Sequence, residues 1–233
     1  MIGVRDTRTW SVKRWIPTGG RKPHDMLLEP DGDRLWVMNF ESFRSPKRDS
    51  SLVQLRLSTG KIEREIIFSD SHSEENTQLS HFARASDGWW AVVGFLGAQG
   101  IKPASANENA PGTIWMVSPE GEARRLDTRV PGLEKLTGEV LSVIMDAEKK
   151  TFCASAPYTN AVFEVDYAKS LLLRTYSVPE PGAIHYEGGK RGLLIASGKD
   201  SRSIYDFTAA SPDGKILSMP GGNGSHFFRL PLA

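Results

Sequence analysis

From Pro23 to Phe40 the chain reads PHDMLLEPDGDRLWVMNF: an apolar stretch over Met26–Glu29, a polar Asp31-Gly32 pair, and a second apolar stretch over Arg34–Phe40. Asp-Gly tolerates the positive φ that a two-residue turn demands, and the flanks carry strand-favouring side chains, so the pattern predicts a β-hairpin. The same plan returns along the chain. Ile2–Arg5 and Val12–Pro17 read as two strands around a short polar turn. After the hairpin and a polar loop over Glu41–Ser50, Leu52–Leu57 alternates at period two. Thr59-Gly60 then turns the chain into Lys61–Phe68.

A second unit runs through His81–Ser86, Asp87-Gly88, Trp89–Phe95, a loop over Leu96–Pro111, Thr113–Ser118, Glu120-Gly121 and Glu122–Leu126. A tighter third unit has Val140–Met145, a turn over Asp146–Lys149, Thr151–Ser155, Ala161–Asp166, a turn over Tyr167–Ser170 and Leu171–Val178. A fourth has Ala183–Tyr186, Gly188-Gly189, Leu193–Ala196, Ser203–Phe207, Asp213-Gly214 and Lys215–Met219. Ser225–Leu230 reads as one more inner strand. No segment keeps a 3.6-residue period. Four-stranded units of about 40 residues predict an all-β chain, a β-propeller of four-stranded antiparallel blades. The N-terminal pair and the C-terminal strand fit a shared closing blade. The count is about five blades, read as one propeller domain over 1–233 that is incomplete at its N-terminus.

Composition narrows the function classes. The 233 residues are 39% hydrophobic, enough to bury a full core, and 29 basic residues against 28 acidic leave a net charge of +1. That balance excludes the gathered basic excess of a dedicated nucleic-acid binder. The basic runs Arg44-Lys47-Arg48 and Arg124-Arg125 read as solvated charges. No apolar run is long enough for a membrane-spanning helix, and the first thirty residues do not resemble a secretory signal. The one cysteine, Cys153, excludes an intrachain disulfide and reads as a small buried side chain.

The order GVRD, PTGGRKPHDMLLEPDGDRLWVMN, LSHFARASDGWWAVVGF, GEVLSVIMDAEKKTFCASAP, PGAIHYEGGKRGLLIASG and a closing HFFRL resembles bacterial domain-of-unknown-function family 1513 over nearly the whole chain. The resemblance implies a seven-bladed, propeller-like fold of the quinoprotein/YVTN-repeat type. It also implies export to the periplasm, often by a twin-arginine signal, and genes beside imelysin-type proteins and di-haem oxidoreductases. Iron acquisition, with a periplasmic protein partner of an iron-handling system, is the setting it points to; it names no reaction. The usual member carries about two further blades and an export signal before the position of Met1. The loops Glu41–Ser50 and Leu96–Pro111 are also longer than the family's Gly-rich ones.

In a propeller the first strand of each blade lines the central channel, and the loops leading into it share a face with those joining second and third strands. His24, His81 and His226 stand where first strands are predicted to begin. Glu139 holds the equivalent place in the third unit, seven residues before Asp146 as His24 is seven before Asp31; in the fourth the place falls near Gly182. Three imidazoles and a carboxylate converging on an axis suit a divalent transition metal. The plainer role is to cap the channel, bonded to strand-end carbonyls. Asp25 either orients the His24 imidazole or bonds local backbone. Asn39, Ser155 and Ser197 end second strands on the same face, where they contact a ligand or satisfy turns.

Other motifs carry less. No Ser/His/Asp set emerges from the spacing, and the GGNG run at Gly221–Gly224 opens no helix that would cradle a phosphate. Trp36, Trp89, Trp90 and Trp115 read as packing between blades. The leading expectation is a non-enzymatic, exported-type propeller binding a small ligand, metal or partner protein on its loop face. The alternative is a metal-dependent hydrolase of the gluconolactonase or lactonase type with its site on the axis, and a third is a scaffold that binds protein through its long loops.

Overall fold

Strands form where the alternation and the turn residues place them. The computed structural model describes residues 1–71, 75–97, 110–186, 192–197, 203–208 and 211–218. β1 (Ile2–Arg5) and β2 (Val12–Ile16) pair as a hairpin. β3 (Gly20–Leu28), β4 (Arg34–Ser42), β5 (Ser51–Arg56) and β6 (Lys61–Ile67) form the first four-stranded sheet. β7 (Asn76–Arg84), β8 (Trp90–Gly97), β9 (Gly112–Val117) and β10 (Ala123–Arg125) form the second. β11 (Ser142–Asp146), β12 (Thr151–Ala156), β13 (Ala161–Asp166) and β14 (Leu171–Ser177) form the third. β15 (Pro181–Tyr186), β16 (Leu193–Ser197), β17 (Ser203–Thr208) and β18 (Ser211–Ser218) form the fourth. Each sheet is an antiparallel meander in chain order, and the only helix among the described residues is a 3₁₀ turn over Pro157–Thr159. The architecture is that of β-propeller blades.

Burial grades outward across each blade. β8, β9 and β12 are buried along their whole length, because neighbouring blades cover both of their faces and no alternation is needed. The last strands β6 and β14 keep solvent on one side and are largely exposed. The cores lie between sheets. Trp36, Met38, Leu52, Phe68, Leu79, Trp90 and Trp115 fill the space between the first and second blades, with Trp36 and Trp90 edge-to-face at 4.9 Å. Ala91, Ile114, Met116, Phe152, Phe163 and Tyr167 fill the next, with Trp89 against them, and Cys153, Val162, Tyr176, Ile195 and Phe207 the third. Each large side chain buried this way contributes roughly 1.5–3 kcal/mol. The tryptophans are packing residues, as expected, and Cys153 is buried and unpaired, its thiol pushed up by burial.

Turns hold by local hydrogen bonds. Asp31 Oδ1 accepts from the backbone N–H groups of Asp33 and Arg34, each at 3.0 Å, and Gly32 supplies the φ of +73°. Two expectations are corrected. Asp213-Gly214 is not the turn between the last two strands: both residues lie within β18. There Thr208 pairs with Ser211 and Asp206 with Lys215, so Pro212 to Gly214 bulge opposite Phe207, and a φ of +81° at Gly214 absorbs the extra chain. Arg125 is not a solvated charge: its side chain, 16% exposed, lies 2.8 Å from Asp127 and 3.4 Å from Asp70. The Gly188-Gly189 turn, the GGNG run and the strand expected over Ser225–Leu230 lie outside the described residues.

Candidate functional site

β3, β7, β11 and β15 begin their blades and lie side by side around the inner edge, β3 against β7, β7 against β11 and β11 against β15. Three of them break register near their leading ends, between Pro23 and Met26, between Leu79 and His81, and between Pro181 and Ile184. A bulge leaves residues unpaired and re-aims their side chains. In β3 His24 and Asp25 together stand opposite the single residue Met38, and in β7 Ser80, beside His81, is the extra residue. β3 and β7 thus start earlier than the hydrophobic pattern indicates, and His24 and His81 sit inside them rather than before them.

These bulges bring the axial residues into one chain of contacts. The His24 and His81 rings meet edge-to-face with centroids 4.9 Å apart, and Phe40 closes on His24 at 5.0 Å. Asp25 Oδ2 stands 3.4 Å from His81 Nδ1 and accepts the Phe82 backbone N–H at 3.3 Å, while its Oδ1 accepts from the Met26 N–H at 2.8 Å. So Asp25 bonds local backbone and also serves an imidazole, that of His81 in the next blade. Ser80 Oγ donates to Glu139 Oε1 at 2.7 Å, which ties the third blade to the second one residue from His81. His24 is exposed, whereas the His81 side chain keeps 13% of its surface. His226 lies outside the described residues. Among those that are described, no three His, Cys, Asp or Glu side chains are gathered in position to hold a metal ion.

The three small polar residues at second-strand ends separate into two kinds. Asn39 Nδ2 donates to the Thr18 carbonyl at 2.9 Å, and Ser197 Oγ donates to the Pro179 carbonyl at 2.6 Å. Each acceptor lies two residues before its blade's first strand, so both residues brace the leading-in loop of their own blade. Ser155 Oγ instead donates forward to Gly182 O in the fourth blade at 2.7 Å and accepts the Ser142 N–H at 3.1 Å. Ser80 and Ser155 thus commit their protons to Glu139 and to a carbonyl, and neither is presented to an imidazole as a nucleophile.

Sequence reasoning missed two groups of buried oxygens. Thr18 Oγ1, Asn39 Oδ1 and Ser51 Oγ on the first blade, and Asn76 Oδ1 and Gln78 Oε1 on the second, have no hydrogen-bond partner among the described residues. Asn39 and Ser51 are cross-strand partners, so their side chains share a face. The alternation Thr77-Gln78-Leu79-Ser80 ahead of His81 was the available signal that β7 begins at Asn76.

Comparisons with known proteins give a family and a fold. The family described as "Protein of unknown function (DUF1513)" matches residues 1–219. No curated protein matches. Among solved structures, the one titled "Structure of U3-55K" is 11% identical with a TM-score of 0.56, covering 85% of this chain and 52% of that one. Hydrazine synthase from Kuenenia stuttgartiensis is 15% identical with a TM-score of 0.54, covering 88% and 52%. A chain of the nidogen/laminin complex is 11% identical with a TM-score of 0.57, covering 93% and 71%. At these identities the likeness is one of fold, and the chain spans about half the length of the first of these structures.

Proposed function

The chain belongs to the DUF1513 family, proteins of unknown function, and from that premise we propose that its propeller is a non-catalytic binding protein whose channel mouth takes a ligand carrying a divalent transition-metal ion. The observation that supports this reading is the contact of two imidazoles from consecutive blades, His24 and His81, at 4.9 Å, with Asp25 on the second. Imidazole nitrogens are ordinary ligands for such ions, and a carboxylate on the other ring nitrogen orients the ligand and raises its basicity. Two imidazoles fill only part of a coordination sphere. The mouth therefore suits an ion that arrives with donors of its own.

Asn39, which an axial hydrolase would need among its oxygen ligands, is fully buried, and its Oδ1 presents almost no surface to the channel. That supports binding over hydrolysis of the lactonase type. The proposed setting is the periplasm and iron handling, with a protein of that system as partner, carried over from the family resemblance. No helix among the described residues is long and apolar enough to cross a membrane.

Calorimetric titration with Zn²⁺ and with Fe²⁺, on the wild-type chain and a His24→Ala/His81→Ala variant, tests the reading. One equivalent should bind, and its affinity should fall by about tenfold or more in a variant whose circular dichroism is unchanged. Binding that survives the double substitution, or none by the wild type, would overturn it.

A further inference from the structure

His81 is held through the two residues that flank it. In β7 Leu79 pairs with Gly94 and His81 with Val93, so Ser80 between them has no cross-strand partner. Ser80 is fully buried, and a buried hydroxyl needs an acceptor. Glu139 Oε1, from the segment that leads into the third blade, accepts it at 2.7 Å, the short contact of a charge-assisted hydrogen bond. On the other side of His81, the Phe82 backbone N–H donates to Asp25 Oδ2 of the first blade at 3.3 Å. The two carboxylates differ in one respect. Asp25 also stands 3.4 Å from the His81 ring, whereas the bond of Glu139 is to the residue before it.

Backbone hydrogen bonds fix the segment around Glu139 against the second blade. The Val140 N–H donates to the Gly94 carbonyl at 3.1 Å, the Gly138 N–H to the Ala110 carbonyl at 2.6 Å, and the Gly112 N–H to the Leu136 carbonyl at 3.1 Å. Leu136 and Val140 are buried in the core that holds Ile114 and Phe152. Glu139 and Val140, consecutive in the chain, thus bond both strands at the β7 bulge, Ser80 on β7 and Gly94 on β8. A bulge re-aims the side chains beside it, so whatever fixes its shape fixes the direction of the next ring. We infer that Glu139 is a positioning residue for His81. By holding the Ser80 hydroxyl it keeps the bulge in the form that turns the imidazole toward His24 and Asp25, and it supplies geometry to the mouth rather than a donor to the ion. The inference rests on the reading of His24 and His81 as the ligand-binding pair.

The test uses the full chain. Glu139→Ala and Ser80→Ala each break the bond, Glu139→Gln keeps an acceptor oxygen for Ser80, and Glu139→Ala/Ser80→Ala completes a double-mutant cycle. Imidazole NMR signals are read in the metal-free chain, Zn²⁺ affinity is read by calorimetry, and circular dichroism checks the fold. The His81 signals should move in both alanine variants, while those of His185, on β15 of the fourth blade, stay in place. Zn²⁺ affinity should fall about tenfold in each alanine variant. The double variant should fall no further than either, because both changes remove the same hydrogen bond, and Glu139→Gln should behave as wild type. Weaker binding by Glu139→Ala beside unchanged or tighter binding by Ser80→Ala would make Glu139 a ligand and overturn the inference. So would His81 signals and Zn²⁺ affinity that stay put while the unfolding midpoint drops, or a Glu139→Gln chain as impaired as Glu139→Ala. If the wild-type chain binds no Zn²⁺, the metal-bearing ligand is lost and the ring signals alone decide: His81 unmoved in the alanine variants overturns the positioning role, and His81 moved in both and restored by glutamine upholds it.

Discussion

Asn39 and His24 stand at the same end of the first blade yet hold different places in its energetics. Asn39 is fully buried and spends its amide on the Thr18 carbonyl, so Asn39→Ala strands a buried acceptor and should cost about 1–3 kcal/mol in urea unfolding. His24 is exposed, and His24→Ala should cost less than about 0.5 kcal/mol. The carboxylates add a pH dependence whose sign is fixed. The Arg34 backbone N–H, then its side chain and the Asp33 N–H, hold the Asp31 carboxyl down at about 2, from an ordinary 3.8. Burial pushes Asp87 up, but hydrogen bonds from Lys150 and Tyr167 outweigh it and leave the carboxyl lowered. Groups lowered in the folded state stabilise above their unfolded value and lose that contribution as pH falls through the folded one. Unfolding midpoints should therefore hold from neutral pH down to about 5 and then fall between 3.8 and about 2; a midpoint that rises on acidification would contradict the assignment.

At the scale of elements, the bulges in β3 and β7 aim the site, and a glycine marks one of them. Gly94 lies opposite the β7 bulge, where a Cβ would overlap the Gln78 carbonyl and stand 2.7 Å from Leu79 Cα. Gly94→Ala should cost about 1–3 kcal/mol and shift the His81 ring signals by NMR. Phe68→Ala, in the core between the first two blades, should cost about 3–5 kcal/mol and leave those signals in place. The hairpins were legible because turn residues and period-two alternation are local signals: Ala161–Asp166 needs only its own neighbours to be read as a strand. The bulges were not, because they depend on the register between two strands, which no single stretch carries. For the same reason His24 and His81 were legible as axial residues, while the Asp25 contact to His81 and the Ser80 contact to Glu139 run between blades and leave no trace in local spacing. Arg125 was misread because its partners Asp70 and Asp127 meet it only when the second blade folds.

Across the described residues, one feature stands apart from ordinary packing: a mouth where three blades meet through His24, Asp25, His81, Ser80 and Glu139. The mouth carries the functional reading, and a metal-bearing ligand is its central claim. Anomalous diffraction from crystals of the chain grown with Zn²⁺, recorded on both sides of the zinc edge, tests it most directly. The account expects one strong peak between the His24 and His81 rings, about 2.0–2.1 Å from a nitrogen of each, and its loss in His24→Ala/His81→Ala crystals. Peaks confined to other surface sites, with the two rings still edge-to-face and no ion between them, would contradict it and leave the histidines as caps of the channel.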